Sequence, residues 1–451
     1  MPRHILPKNR LSPRWRITLN AASFALSLSV ATNMIRGQST VQTDYQNISN
    51  QQENALTKGT IQLHQAIALA VKNSPELEAQ KWESEGALAR IRQAQLWPNP
   101  ELEYEREDFG GTGKFRGSKL AESNLSLAQS LPFGGDIQHR RNVAELDYQL
   151  ADWDYHAARL ELIAEVTRRF VNALADDRRL EIAQQELLLA QETERLTKSL
   201  VEAGEVSPVE LARVTVPVVI AELGLKRAGR QREASYRRLS LSWGERIVKF
   251  DSLSGDLDAL TSIPAPEDLV QYLADFPEVA RWTTEISSRI AVRRLAKAEA
   301  IPNPTGRIGL KWDNESGDQA LILGLSLPLP LFDRGQAQIQ SARASEVSAR
   351  SRKKAAELRI EGLLSEAYST LANAYDEAAA IKGRVLPIAE DAYRGTQLAF
   401  KEGKLPLLDV LDAQRTLFGI QATHLQSLQT YHIGVANLES LIGRSLSELR
   451  K

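Results

Sequence analysis

The residues whose types and spacing could do chemistry are acids set just after two turns. In the stretch Lys401–Leu417, Asp409 and Asp412 stand three apart and so share one helix face, directly after Gly403, Leu405 and Pro406. A near copy lies earlier, Gly204-Glu-Val206-Ser207-Pro-Val-Glu210-Leu-Ala-Arg213, and in each copy an acid follows the glycine at the same interval. Glycine and proline sit poorly inside helices, so each stretch reads as a turn between two long helices. Carboxylates gathered in a constricted, poorly screened space repel one another and call for counter-charges or bound cations. That is the electrostatics of a gate rather than of bond breaking. A plainer role competes with it, since an acid at a helix start is favoured by the helix dipole alone. A second acidic set, Glu101, Glu103, Glu105 and Glu107, alternates along one short run.

Other chemistry finds no support. Gly113-Lys114 is followed by Phe115 and lacks the upstream glycine of a phosphate-binding loop, and Gly111, Gly113 and Gly117 miss the dinucleotide spacing by one residue. His64, His139, His156, His424 and His432 stand at no metal-ligand spacing; even His424 and His432, which share a helix face, are farther apart than zinc-binding helical pairs. No enzymatic activity, cofactor or metal site is expected. The 451 residues carry a net charge of -1 and no cysteine. The balanced charge gives nucleic-acid binding no support. Without cysteine, disulfides, thiolate metal sites and a lipidated N-terminal cysteine are not expected.

The elements that must position the acids begin after a leader. Residues 1–31 read as a secretory signal, with Arg3, Lys8, Arg10, Arg14 and Arg16 ahead of an apolar core and Ser29-Val30-Ala31 as a cleavage site. The apolar run falls short of the ~20 residues of a spanning helix. Residues 32–59 read as a polar, extended leader. Helical patterning runs from Leu63 to Leu96 and stops at Pro98-Asn99-Pro100. Glu101 to Asp108 then alternates, with Leu102 and Tyr104 opposite the glutamates, which is the period of a strand. After a glycine-rich loop, Leu125, Leu127 and Leu131 mark a second strand, closed by Pro132-Phe133-Gly134-Gly135. From there to Ala203 nothing breaks the helix. Apolar positions alternate at intervals of three and four, and the pattern loses register near Asp176 to Arg179. A helix of about 65 residues is on the order of 100 Å long.

The order then recurs. Phe276-Pro277-Glu278 answers Ser74-Pro75-Glu76, Pro302-Asn303-Pro304 answers Pro98-Asn99-Pro100, Gly403 answers Gly204 and Gly443 answers Gly244. Each lies about 200 residues on, far beyond the ~20–50 residues of a solenoid repeat. The expected organisation is a first structural repeat over 60–262, with strands about 101–109 and 121–132, then a second over 263–445, with strands about 305–314 and 320–331, and a tail, 446–451. One residue lacks a counterpart. Pro387 falls inside the second long helix, where it is expected to kink the helix and free a carbonyl, marking this helix as the inner, moving one.

Strands with one apolar and one polar face match the ~9–11 residues of a membrane-spanning strand. Aromatic residues fall at the edges of the apolar band, Trp97, Phe133 and Phe332 toward the helices and Phe109 and Trp312 toward the far side. In lipid no strand edge stays unpaired. Since the smallest barrels have ~8 strands, several copies must each contribute four: two copies would give eight strands and three would give twelve, which leave room for a lumen. Glu101, Glu103, Glu105 and Glu107 would line that lumen, or part of their run lies beyond the membrane edge and is merely solvated. The alternatives are a soluble helical protein with two small hairpins and a non-channel periplasmic coiled-coil structural protein.

Three motifs together carry a resemblance to the TolC-type outer-membrane efflux proteins, over nearly the whole mature chain. They are Pro-Asn-Pro before both first strands, Leu325-Ser-Leu-Pro-Leu-Pro-Leu-Phe-Asp-Arg-Gly335, and Leu408-Asp-Val-Leu-Asp-Ala-Gln-Arg-Thr-Leu417. The Pro-Leu-Phe-Asp-Arg run is especially similar to the CzcC-like branch, associated with heavy-metal cation efflux. The fold class this implies is mainly α with a β-barrel contribution: a duplicated helix–β-hairpin–long helix–helix unit, four strands per chain in a trimeric 12-stranded outer-membrane barrel, continued by a long α-helical barrel across the periplasm. The resemblance further implies a homotrimer in outer-membrane lipid whose tip turns (Gly204, Val206, Ser207, Gly403, Leu405, Pro406) dock onto a periplasmic adaptor. An inner-membrane pump of the proton-driven RND type completes the assembly. Asp409 and Asp412 match the acids that narrow the family's periplasmic entrance, and Glu210 matches the first-copy acid. The TolC member carries an arginine where Leu405 stands here, so the latch is expected to use Arg213 or Arg415 instead. Ducts for multidrug efflux or type I protein secretion share these features.

Overall fold

The computed structural model describes residues 59–270 and 276–446. The expected signal segment 1–31, the leader 32–59 except its last residue and the tail 446–451 except its first lie outside the described residues. The described residues open with β1 (Thr60–Gln62), α1 (Leu63–Asn73) and α2 (Pro75–Ala94). Ser74 separates the two helices. Its hydroxyl accepts from the Leu77 amide at 3.4 Å, and Pro75 takes the first helical position, where a missing N–H leaves nothing unpaired. Strands β2 (Glu101–Glu107) and β3 (Glu122–Ser130) follow, then the 67-residue α3 (Asp136–Glu202) and its return helix α4 (Pro208–Leu241).

Short strand β4 (Ser252–Ser254) pairs in parallel with β1 and ties the end of this half to its start. The order is then repeated by α5 (Pro266–Val270), α6 (Pro277–Glu299), β5 (Thr305–Asp313), β6 (Gln319–Ser326), α7 (Gln336–Ala380), a π-helical turn at Ile381–Val385, α8 (Leu386–Lys401) and α9 (Leu407–Ile442). Among the described residues no helix is long and apolar enough to cross a membrane.

The longer strands form one antiparallel sheet in the order β2-β3-β5-β6, open in the single chain with β2 and β6 at its edges. Register sorts the two faces. Leu102, Leu127, Ile308 and Leu323 make one cross-strand rung and Tyr104, Leu125, Leu310 and Leu321 the next, on one face. This face is bare in the single chain, Leu323 being 79% exposed. β6 stops at Ser326, short of the expected limit near 331, because Pro328 and Pro330 have no N–H to extend a ladder. The sheet runs into helices in the same lateral order, α2 against α3, α3 against α6 and α6 against α7. Polar ties fix their register. Arg281 Nε donates to Asp154 at 2.6 Å, Trp153 Nε1 to Thr284 at 3.2 Å, and Arg293 pairs with Glu346 at 3.2 Å.

Each half has its own apolar core near mid-height, around Phe170, Leu239 and Trp243 in the first and around Phe276, Leu371 and Tyr431 in the second. Where the heptad pattern of α3 loses register, the seam becomes polar. Asp176, 2% exposed, accepts from Arg179 at 2.7 Å, and the same guanidinium reaches Gln429 of α9 at 2.5 Å. Pro387 does not end its helix. The Leu386 amide donates five residues back to the Ile381 carbonyl, and the wider π turn gives the ring room beside the Gly383 carbonyl, which a regular α spacing would bring into collision. A second interior proline, Pro217, lies within α4 without ending it.

Candidate gate at the paired helical tips

Both tips close in the same way. Gly204 has φ 78°, its amide donates to the Val201 carbonyl at 3.0 Å, and the Glu205 amide donates to Leu200 at 2.9 Å. Gly403 has φ 71°, its amide donates to Phe400 at 2.9 Å, and the Lys404 amide donates to Ala399 at 2.9 Å. This is the Schellman closure, whose left-handed residue favours glycine. The return helices start alike in their backbone, the Ser207 carbonyl accepting from the Glu210 amide at 2.9 Å and the Pro406 carbonyl from the Asp409 amide at 3.2 Å. They differ in the cap: the Ser207 hydroxyl accepts from the Val209 amide at 3.3 Å ahead of Pro208, whereas Pro406 has no capping side chain.

The two hairpins share one core. Leu196, Leu200, Leu211 and Val214 of the first pack with Phe400, Leu407, Val410 and Leu417 of the second. This packing sets the tip carrying Glu210 beside the tip carrying Asp409 and Asp412. Leu407 and Val410 take the buried face of α9, so Asp409 and Asp412, two residues further along in each case, are left exposed. Glu210 is half-buried, as is Val206, whereas Leu405 and Pro406 are exposed.

The structure also places the candidate counter-charges. Arg213 pairs with Glu210 at 2.8 Å and Arg415 with Asp412 at 3.1 Å, each within its own helix. Both arginines are therefore tied to the acid one turn before them rather than across to the other hairpin. Exposed pairs of this kind are worth about 0.3–0.5 kcal/mol, little enough to be exchanged for another partner. Asp409 forms no ion pair among the described residues.

At the sheet, Glu101, Glu103, Glu105 and Glu107 are exposed on the face opposite the leucine rungs. That face also holds bases that the sequence reading left out. Arg307 of β5 reaches Glu103 at 3.0 Å, and Lys311 pairs with Glu122 of β3. The signal was present, since Arg307 and Lys311 alternate with Ile308 and Leu310. Glu101, Glu105 and Glu107 form no ion pair among the described residues. The histidines do not converge. Nε2 of His432 lies 2.8 Å from the Leu257 carbonyl, while His424 is buried with Nε2 unpartnered and its pKa lowered by that burial. No cluster of His, Asp or Glu among the described residues could hold a metal ion.

Comparison with known proteins fits this arrangement. The family profile described as outer membrane efflux protein matches residues 66–245 and 270–444. The chain is 31% identical over 386 residues to the cobalt-zinc-cadmium resistance protein CzcC of Cupriavidus metallidurans, covering 86% of this chain and 91% of that protein. It is 27% identical over 286 residues to the nickel-cobalt-cadmium resistance protein NccC of Alcaligenes xylosoxydans xylosoxydans, covering 63% of each. A crystal structure of CusC, studied for its folding and transmembrane channel formation, superimposes with a TM-score of 0.73 at 18% identity over 85% of this chain and 92% of that one. The family is one of outer-membrane channels that work as trimers with an adaptor and an inner-membrane pump. With both halves matched and the relatedness to CzcC spanning most of each protein, this chain belongs to the outer membrane efflux protein family, in its CzcC-like branch.

Proposed function

We propose that the protein is the exit duct of a tripartite efflux system, passively conducting heavy-metal cations from a periplasmic adaptor and inner-membrane pump to the exterior. The observation that carries this reading is the open sheet with its bare apolar face and its two edge strands. In lipid those edges have to be closed. All neighbours in the sheet are antiparallel, so β6 of one copy meets β2 of the next in the antiparallel sense. Three copies close twelve strands around a lumen faced by Glu101, Glu103, Glu105 and Glu107, with lipid against the leucine rungs. The helices continuing each strand extend the wall as a helical barrel.

At its far end, three copies each of Glu210, Asp409 and Asp412 ring the opening. Arg213 and Arg415 are the counter-charges at hand, and the turns around Gly204, Val206, Ser207, Gly403, Leu405 and Pro406 form the adaptor-docking surface. The pump is of the proton-driven RND type. The cargo assignment draws on relatives named for cobalt, zinc, cadmium and nickel resistance.

Planar-bilayer recording on the purified protein tests the gate. Wild type is expected to conduct with low conductance and to be blocked by divalent cations, and Asp409→Ala with Asp412→Ala to raise conductance and abolish the block. Unchanged conductance and unchanged block would sink the acid ring. Deleting the protein from its host should sensitise growth to cobalt, zinc or cadmium. Sensitivity to organic drugs alone would move the cargo to the multidrug class.

A further inference from the structure

The junction between sheet and helices carries a charge that the chain as a whole does not. Four segments meet there, the end of α2 (87–97), the start of α3 (131–143), the end of α6 (290–302) and the start of α7 (330–343). They hold nine Lys and Arg against three Asp and Glu, in a protein of net charge -1. Helix dipoles explain only part of this. Arg92 and Lys297 sit in the last turns of α2 and α6, where bases are favoured, but the dipole favours acids in the opening turns of α3 and α7, and the first turn of α7 has none.

Internal pairing does not use the charge up either. Arg90, Arg92, Arg294, Lys297 and Arg343 are exposed and form no ion pair or hydrogen bond among the described residues. The Arg293–Glu346 pair at 3.2 Å sets Arg294 and Lys297 of α6 at the level of Arg343 of α7. Immediately beyond these bases stand Trp97, Phe133 and Phe332, exposed by 58%, 72% and 91%, and then the bare leucine face of the sheet. Leucine, aromatic ring and base follow one another along the wall in the order of hydrocarbon, interface and headgroup in a lipid leaflet. Long basic side chains can lie along the interface and hold their charge at headgroup level.

We infer that this collar is a binding surface for anionic phospholipid headgroups of the periplasmic leaflet, fixing the depth at which the protein sits. The inference rests on the outer-membrane duct reading and deepens it. The collar follows the membrane-facing band along the wall, with Arg90 and Arg92 two apart and so on opposite sides of α2, and its net positive charge complements a headgroup phosphate, whereas a second copy of the chain would have to offer acids that these segments largely lack.

Native mass spectrometry of the full-length assembly, extracted from mixed phosphatidylglycerol and phosphatidylcholine vesicles, tests it. A collar variant combines Arg90→Gln, Arg92→Gln, Arg294→Gln, Lys297→Gln and Arg343→Gln, and a control combines Lys226→Gln, Arg227→Gln and Arg230→Gln on the exposed face of α4. Wild type and control should retain phosphatidylglycerol several-fold over phosphatidylcholine, with the preference weakened by salt, and the collar variant should lose the preference while keeping its oligomeric state. An equal preference in the collar variant, or none in wild type, overturns the collar. So does a collar variant that dissociates while its lipid preference persists, since the bases would then belong to a subunit interface. Bilayer conductance of the same samples reports on the duct separately, so a conducting protein without lipid preference fails the collar alone.

Discussion

Asp409 and Glu210 stand at the same interval after their turn glycines, yet their surroundings differ. Glu210 is half-buried and held by Arg213, whereas Asp409 is exposed and without an ionic partner among the described residues. Their places on the helix starts were readable from sequence, because position after a glycine fixes the helical phase. Their partners were not, because a side chain three residues away competes with any group that another hairpin brings near. His424 makes the same point from inside the protein. Burial lowers its pKa, the carboxylate of Asp258 opposes that shift, and Lys382 and Arg178 reinforce it. Unfolded histidine titrates near 6.5, so below that pH the unfolded chain binds a proton that the native site resists. Stability is therefore expected to be full above about pH 6.5 and to fall as pH drops through and below it. Chemical denaturation midpoints of wild type and His424→Gln across pH 5 to 8 check this. The variant should lose part of the acid-side slope, and an identical slope in both would clear His424 of the effect.

Among the elements, the π turn at Ile381–Val385 converts a sequence irregularity into a specific shape. Sequence placed Pro387 inside a helix and predicted a lost hydrogen bond, but the outcome depends on how the neighbouring turn repacks. The helix widens by one residue and goes on to pack Ala389 and Tyr393 into the tip core. The widened turn stands directly above the hairpin that carries Asp409 and Asp412. Pro387→Ala restores an amide donor and should allow a regular α turn, raising stability by about 1–3 kcal/mol. If α8 moves when the tip opens, the same substitution should lower open-state conductance and efflux. Thermal unfolding and single-channel recording read the two effects, and unaltered opening and efflux would reduce the π turn to a packing accommodation. Strand ends show the same division. β2 was readable from alternation, but it ends at Glu107 because Asp108 adopts φ 55°, a turn conformation that alternation does not encode.

For the whole molecule, the open sheet makes a concrete demand on other copies. The chain has no native cysteine, so introduced pairs report cleanly. Tyr104→Cys on β2, combined singly with cysteines scanned along Gln319–Ser326 of β6, should give disulfide-linked dimers and trimers in the membrane at one register. Monomers at every position of the scan would refute closure of β6 on β2. The order of elements in both halves and the faces of the strands were determined by sequence alone, because alternation, heptad spacing and turn glycines are local properties that each segment carries with it. Membership of an efflux family was legible too, through motifs that recur at both ends of the chain. Tertiary structure alone decided the rest. It set the two tips against one core, turned Arg213 and Arg415 onto acids of their own helices, put Arg307 and Lys311 among the glutamates of the sheet, and gathered bases from four separate segments into one collar. Those are contacts between residues far apart in the chain, and packing and electrostatics choose them only once the long helices have brought the segments side by side.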